Sequence, residues 1–175
     1  IHHRFESIHP FYDGNGRTGR IINVLYLVHA GLLDIPVLYL SRYLVRHKNE
    51  YYRLLQAVRE TGEWQPWVLY MLEAVAETAQ QSITVVSAIR AAMQDYKHRI
   101  RDKFSFYSQD LINHLFCHPY TKIEFVADAL SVSRQTAAKY LDELVTENLL
   151  HKEKLGKSNY YINIVLYDIL SKQAV

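Results

Sequence analysis

The sequence predicts a mainly α-helical protein in two parts: a helical region over residues 1–100, and a small unit of three helices closed by a β hairpin over residues 101–175. Three observations carry that reading. Apolar residues recur at helical spacing through three stretches, 21–33, 41–61 and 67–97. His98, Arg99, Arg101, Asp102 and Lys103 then end the apolar pattern. Beyond them, short amphipathic stretches parted by hydroxyl-rich turns lead into an alternating segment with Gly156 at its middle. The chain of 175 residues is 49% hydrophobic and 22% charged, a balance that can bury a core in one ordinary domain or two small ones.

Taken in order, the chain opens at Ile1 within what reads as a helix. His2 and His3 are expected on its solvated face, since adjacent histidines on a helix seldom form a metal site. The stretch from His9 to Arg20 then gathers a base, a carboxylate, close glycines, an amide and two arginines immediately ahead of an apolar helix. Amides that open a helix are free to donate, and the helix dipole adds positive potential, so such a loop favours a bound anion, phosphate above all. Gly14 and Gly16 let the backbone curl and a ligand approach closely. Asn15 adds a side-chain donor between them. Arg17 and Arg20, three apart on the first helical turn, can grip one polyphosphate. Asp13 offers the hard oxygen that Mg²⁺ prefers when shared with phosphates. His9 supplies an imidazole able to accept a proton from an attacking hydroxyl.

Other readings of these residues are weaker. Gly14, Gly16 and Gly19 spell G-x-G-x-x-G with Asp34 in the place of a ribose acid, but that fingerprint needs a preceding strand, and residues 1–10 contain none. A P-loop needs Lys-Ser/Thr after its last glycine, where this chain has Arg20-Ile21. A purely structural glycine-rich helix start explains the glycines but not the acid, base and paired arginines.

Residues 21–33 are apolar on nearly every side, which predicts a helix buried among others and stopped at Gly31. Ser41 is placed to cap a helix carrying Leu44, Tyr51, Leu54, Leu55 and Val58, ended by Gly62. Pro66 suits the first turn of a long helix from Trp67 to about Lys97, with Leu69, Leu72, Val75 and Ala76 inward. In the second part, Ser108 starts a helix to about Cys117, and Thr121 to Glu124 reads as a capping box opening a helix to Leu130. A turn at Ser131-Val132-Ser133 leads into a helix from Arg134 to Leu149. Residues 151–163 read as a two-stranded wing turning at Gly156, and the whole resembles a winged helix-turn-helix domain.

His9 through Arg20 also resembles the signature of the Fic family, His-x-Phe-x-Asp/Glu-Gly-Asn-Gly-Arg-x-x-Arg, with every specified position filled. Phe5-Glu6-Ser7-Ile8 before it, Tyr51-Tyr52 and Glu63-Trp64-Gln65-Pro66-Trp67 after it are similar as well. The likeness covers residues 1–100 as the later part of a Fic core, and the winged unit is similar to an appendage of bacterial members. The resemblance implies an adenylyltransferase that moves AMP from ATP to a Ser, Thr or Tyr hydroxyl of a protein target. By that likeness His9 is the general base, and Asp13 holds Mg²⁺. Gly14, Asn15 and Gly16 surround the α-phosphate, Arg17 and Arg20 take the outer phosphates, and Thr18 and Gly19 contribute backbone. Phe11 faces the core, and Tyr52 either packs near the adenine or is plain core. An intact glycine pair argues against the phosphate-transferring branch of the family.

Two departures accompany the likeness. A Ser/Thr-x-x-x-Glu-Gly/Asn motif, whose glutamate restrains the second arginine in such proteins, does not occur, and neither does the hairpin that aligns targets. With no initiator Met and eight residues ahead of His9, the chain is expected to be a C-terminal fragment, incomplete as an enzyme.

For the winged part, Arg134, Gln135, Thr136 and Lys139 would face a DNA major groove, with Lys152, Lys154 and Lys157 on phosphates. Residues 101–175 hold nine Lys/Arg and nine Asp/Glu, however, where a dedicated DNA binder is usually basic. Docking of protein, or dimerisation, competes with DNA. A homodimer is a further expectation for which the residues offer no clear interface pattern. The contrasting function is a transcriptional regulator that senses nucleotide without transferring it. The single cysteine, Cys117, rules out an internal disulfide, no apolar run reaches the roughly 18 residues of a membrane span, and a cytoplasmic location is the default expectation.

Overall fold

The computed structural model describes residues 1–172; residues 173–175, the end of the expected second domain, lie outside the described residues. The architecture is mainly α, in two compact units, Ile1–Thr84 and Val85 onward. The first unit contains α1 (His2–Ile8), α2 (Asn15–His29), α3 (Ser41–Arg46), α4 (Lys48–Thr61) and the start of α5 (Gln65–Lys103).

Its core forms where α4 and α5 present aromatic and aliphatic residues together, with Tyr51, Leu54, Val58, Trp67, Tyr70 and Ala74 all buried. The inward stripe of α5 is the expected one only at Val75, which packs against the core. Leu69 and Leu72 are 56% and 59% exposed and Ala76 is exposed, whereas Trp67, Tyr70, Ala74 and Thr78 are buried. Burying two large aromatic rings removes more apolar area than burying two leucines, so Trp67 and Tyr70 set the rotation of the helix. On α2, likewise, only Val24 among the aliphatic residues is buried, and Ile21, Leu25 and Tyr26 stand at least half exposed.

The expected helix from Ser41 is divided at His47 (φ −108°, ψ 34°), and Leu40, not Ser41, holds the cap position of α3. Side-chain hydrogen bonds mark the break: the His47 ring lies 3.2 Å from the Tyr43 carbonyl, and the Tyr70 hydroxyl donates to the His47 carbonyl at 3.3 Å.

The second unit continues α5 into α6 (Gln109–Cys117), β1 (Tyr120–Thr121), α7 (Ile123–Leu130), α8 (Arg134–Thr146), β2 (His151–Leu155), β3 (Ser158–Ile162) and α9 (Ile164–Ser171). Its antiparallel sheet has the order β1-β3-β2, pairing Tyr120 with Ile162 and His151 with the same residue. Leu111, Val126, Ala137, Leu141, Leu144 and Leu149 are wholly buried between the helices and the sheet. This is the order of a winged helix-turn-helix. Ser108 and Ser133 cap α6 and α8, accepting from the amides of Leu111 and Thr136.

The expected capping box does not form. Lys122 precedes α7 without a side-chain cap, while Thr121 sits in β1 with its hydroxyl 2.7 Å from His114 Nε2. Pairing with β3 outcompetes the cap. α8 also ends three residues early, because Asn148 turns left-handed (φ 54°). The short β1 and α9 escaped the sequence reading. Buried Asn163 accepts from the Leu166 amide to cap α9 and donates to the Leu115 carbonyl. Among the described residues, no helix is long and apolar enough to cross a membrane.

Candidate active site

The site begins with how α1 is held. His2 and His3 are not solvated: each is 6% exposed, and both face α4. His2 Nε2 lies 2.9 Å from the Tyr51 hydroxyl, and His3 Nε2 donates to the Leu55 carbonyl at 3.2 Å. Their rings also contact Trp67, and His3 meets Trp64 edge-on. Burial pushes the His2 imidazole down to about 4, with the Arg20 charge acting in the same direction.

Thus fixed, α1 delivers His9 at its C-terminal cap. His9 is left-handed (φ 51°, ψ 56°), its amide donates to the Phe5 carbonyl, and its side chain is exposed. A non-glycine residue in that region costs of order 1 kcal/mol or more, the kind of strain that concentrates at functional sites.

Asn15 closes the loop that follows. It is only 2% exposed, and its side chain clasps one residue from both sides. The Phe11 amide donates to Asn15 Oδ1 at 2.9 Å, and Asn15 Nδ2 donates to the Phe11 carbonyl at 2.6 Å. The Asn15 amide group therefore serves the loop itself, where the residues alone suggested a donor toward a ligand. Phe11, expected in the core, is 52% exposed with its ring 6.2 Å from Phe5. Its backbone anchors the loop, not its side chain.

Gly14 caps α2 in the left-handed region (φ 82°), which a side chain would strain. Its carbonyl accepts from Thr18, so the helix is properly begun. Among the described residues, the amides of Gly14, Asn15, Gly16 and Arg17 make no hydrogen bond within the chain. Two guanidiniums flank this opening. A Cβ built on Gly14 would lie 3.5 Å from Arg17 Nη2, and one on Gly16 would lie 3.1 Å from Arg20 Nη1. Arg17 is exposed and pairs with the exposed Asp13 at 3.1 Å, whereas Arg20 donates from Nε to Ser41 Oγ at 2.8 Å. Free amides at a helix N-terminus, with a guanidinium beside each of two neighbouring glycines, can hold a polyanion.

Thr18 is half-buried on the same first turn. Gly19, grouped with the loop by sequence, instead faces α1. A Cβ there would run into the Glu6 carboxylate and come within 3.1 Å of the His2 ring. Glu6 is 9% exposed and burial pushes its carboxyl up, with Arg20 and His9 opposing. Gly19 therefore permits the close approach of α1 and α2. A cavity of about 370 Å³ is lined by Arg17, Arg20 and Ser41 together with Ile21, Val24, Leu25 and Leu38.

Tyr52 is 55% exposed on α4, with its ring edge-on to Tyr51 and Lys48 5.9 Å above it; the described contacts do not join it to the loop. On α8, Arg134, Gln135 and Lys139 are exposed, and Gln135 and Lys139 share the wall of a shallow cavity with Phe106, Tyr140 and Glu143. Arg134 pairs with Glu124 at 3.1 Å and Lys139 with Glu143 at 3.9 Å. Sequence reasoning missed Ser41 as a partner of Arg20 and the clasp made by Asn15. The only signal for the clasp was the position of Asn15 at the first helical residue.

A helix-borne loop of free amides with an adjacent exposed imidazole is followed in the same chain by a helical unit with a three-stranded sheet. Residues 1–27 match the Fic/DOC family, and residues 92–166 match the C-terminal domain of SoFic-like protein adenylyltransferases. The two matches cover separate stretches, 27 residues at the start and 75 toward the end, and over these the chain is similar to Fic proteins. The chain is similar to a protein adenylyltransferase Fic of Aedes aegypti, 34% identical over 77 residues, covering 44% of this chain and 14% of that protein. It is similar to the namesake of Drosophila yakuba, 32% identical over the same shares. With a probable protein adenylyltransferase of Aquifex aeolicus it shares 49% identity over 84 residues, covering 48% of this chain and 23% of that protein. The matched span is thus between about one seventh and one quarter of the length of these relatives.

Proposed function

We propose that this chain carries the nucleotide-binding and catalytic loop of a protein adenylyltransferase. One observation supports the reading above the others: unpartnered amides at Gly14 to Arg17 open beside two guanidiniums, downstream of an exposed His9 held in a strained cap. The adenylyltransferase names of the relatives agree with it.

In this reading ATP is the substrate. Its α-phosphate lies over the amides of Gly14, Asn15 and Gly16, and its outer phosphates meet Arg17 and Arg20. His9 accepts the proton of a target Ser, Thr or Tyr hydroxyl as the oxygen bonds to the α-phosphorus. The bond to the bridging oxygen breaks, and pyrophosphate leaves. Arg17 exchanges Asp13 for phosphate, a small cost for an exposed pair. A lone exposed carboxylate beside a phosphate site suits Mg²⁺, which takes few protein oxygens and keeps water and phosphate as its other ligands. Asp13 would hold it. When bound, the ion would neutralise charge building on the phosphates.

The alternative, a nucleotide-sensing regulator that binds DNA through Arg134, Gln135 and Lys139, has less support. Arg134, Lys139 and Lys152 each have a carboxylate partner, in Glu124, Glu143 and Asp142. Incubation with ATP labelled on its α-phosphate in cell lysate is expected to label protein. Label arriving only from the γ-phosphate, or none, overturns adenylyl transfer.

A further inference from the structure

We propose that Ser41 is a positioning residue for Arg20, aiming its guanidinium at the outer phosphates of a nucleoside triphosphate; the proposal rests on the adenylyl-transfer reading of the loop. An arginine has five N–H donors, and which of them face a ligand depends on what holds the others. Here Nε is taken by Ser41 Oγ at 2.8 Å. The Nη pair is thereby left as the fork, and Nη1 lies against Gly16, whose amide is among the unpartnered ones. Arginine fork and Gly16 are thus neighbours on the first turn of α2.

The anchor itself is firm. Ser41 opens α3, and its neighbours Leu40, Tyr43 and Leu44 are 2%, 5% and 4% exposed. Arg17 has no comparable support, since its partner Asp13 is itself exposed. A long side chain loses rotamer freedom when it grips a ligand, and a preformed latch removes that freedom beforehand. The two arginines therefore divide their work. Arg20 is held ready and Arg17 swings in.

The test is isothermal titration of the full chain with α,β-methylene-ATP and with AMP. Ser41→Ala is expected to weaken the triphosphate about five- to tenfold, the cost of ordering one long side chain that is no longer held in advance, and to leave AMP unchanged. Ser41→Thr restores affinity, whereas Ser41→Val, of nearly equal volume, does not. In an Arg20→Ala background Ser41→Ala adds nothing. Equal triphosphate affinity in wild type and Ser41→Ala, equal weakening of AMP, or an undiminished effect without Arg20 overturns the role of Ser41 alone. Failure of wild type to bind the triphosphate analogue overturns the nucleotide site itself.

Discussion

The two units build their cores differently, and the proposed nucleotide loop sits in the less closed one. In the second unit Ile100, Leu111, Val126, Ala137, Leu141, Leu144 and Leu149 are all at 0% exposure, and buried Thr121 and Asn163 both have hydrogen-bond partners. In the first, every core hydrophobic except Ala74 keeps between 2% and 8% exposure. His2, His3, Glu6, Asn15 and Thr78 are buried beside them, and among the described residues Glu6 Oε1 has no hydrogen-bond partner. A dry, fully packed core gives a single well-ordered scaffold. A loop that must offer bare amides and a strained histidine needs polar groups placed behind it, and these cost stability. The contrast teaches that the loop is held by a polar network and the second unit by packing.

The largest expected effect lies in the first unit and should leave the second untouched. His9→Ala should lower transfer of AMP to protein by roughly 10² to 10⁴, the usual worth of a general base, with unchanged thermal melting. Equal labelling would remove His9 from the mechanism. Next comes the packed unit: Leu141→Ala should cost about 2–5 kcal/mol, measured by denaturant titration followed by circular dichroism. Both tryptophans, Trp64 and Trp67, lie in the first unit, so their fluorescence should report a transition that stays in place. A Trp transition shifting by the same amount would break the comparison.

Acid should single out the first unit. The folded His2 value of about 4 lies below its ordinary 6.5, so the unfolded chain takes up the proton first. The contribution is complete above about pH 6.5 and is lost as pH falls toward 4, by about 3 kcal/mol in all. Glu6, pushed up by burial, works in the opposite sense and loses stability as pH rises through its raised range. Tryptophan-monitored stability between pH 4 and 7 should therefore slope upward, and His2→Phe should flatten the slope. An unchanged slope in His2→Phe would assign the acid sensitivity elsewhere.

A smaller loss, about 1–3 kcal/mol, is expected for Gly19→Ala, since the new methyl must displace Glu6 and the His2 ring. Calorimetric melting that is unchanged would mean α1 and α2 have room to spare. Smallest is Asp13→Asn: its exposed pair with Arg17 should contribute too little to detect in the same melts. A clear shift there would show that the loop is stapled by this pair rather than by Asn15.

Residue types and spacing alone located the loop, its helix, the three helices and wing of the second part, the start of α6 at Ser108 and the turn at Ser131 to Ser133. They did so because caps, turns and helical periods are local, set within four residues of one another. Tertiary structure decided which stripe of α5 turns inward, where the helix after Ser41 breaks, and that His2 and His3 are buried. It also decided that Thr121 belongs to a strand and that Gly19 serves packing. Each of these depends on partners far along the chain: Tyr51 for His2, Tyr70 for His47, Tyr161 for Thr121, Glu6 for Gly19. A side chain's competing partners meet only when the chain has folded, and the larger gain in buried area or hydrogen bonding then prevails over local preference.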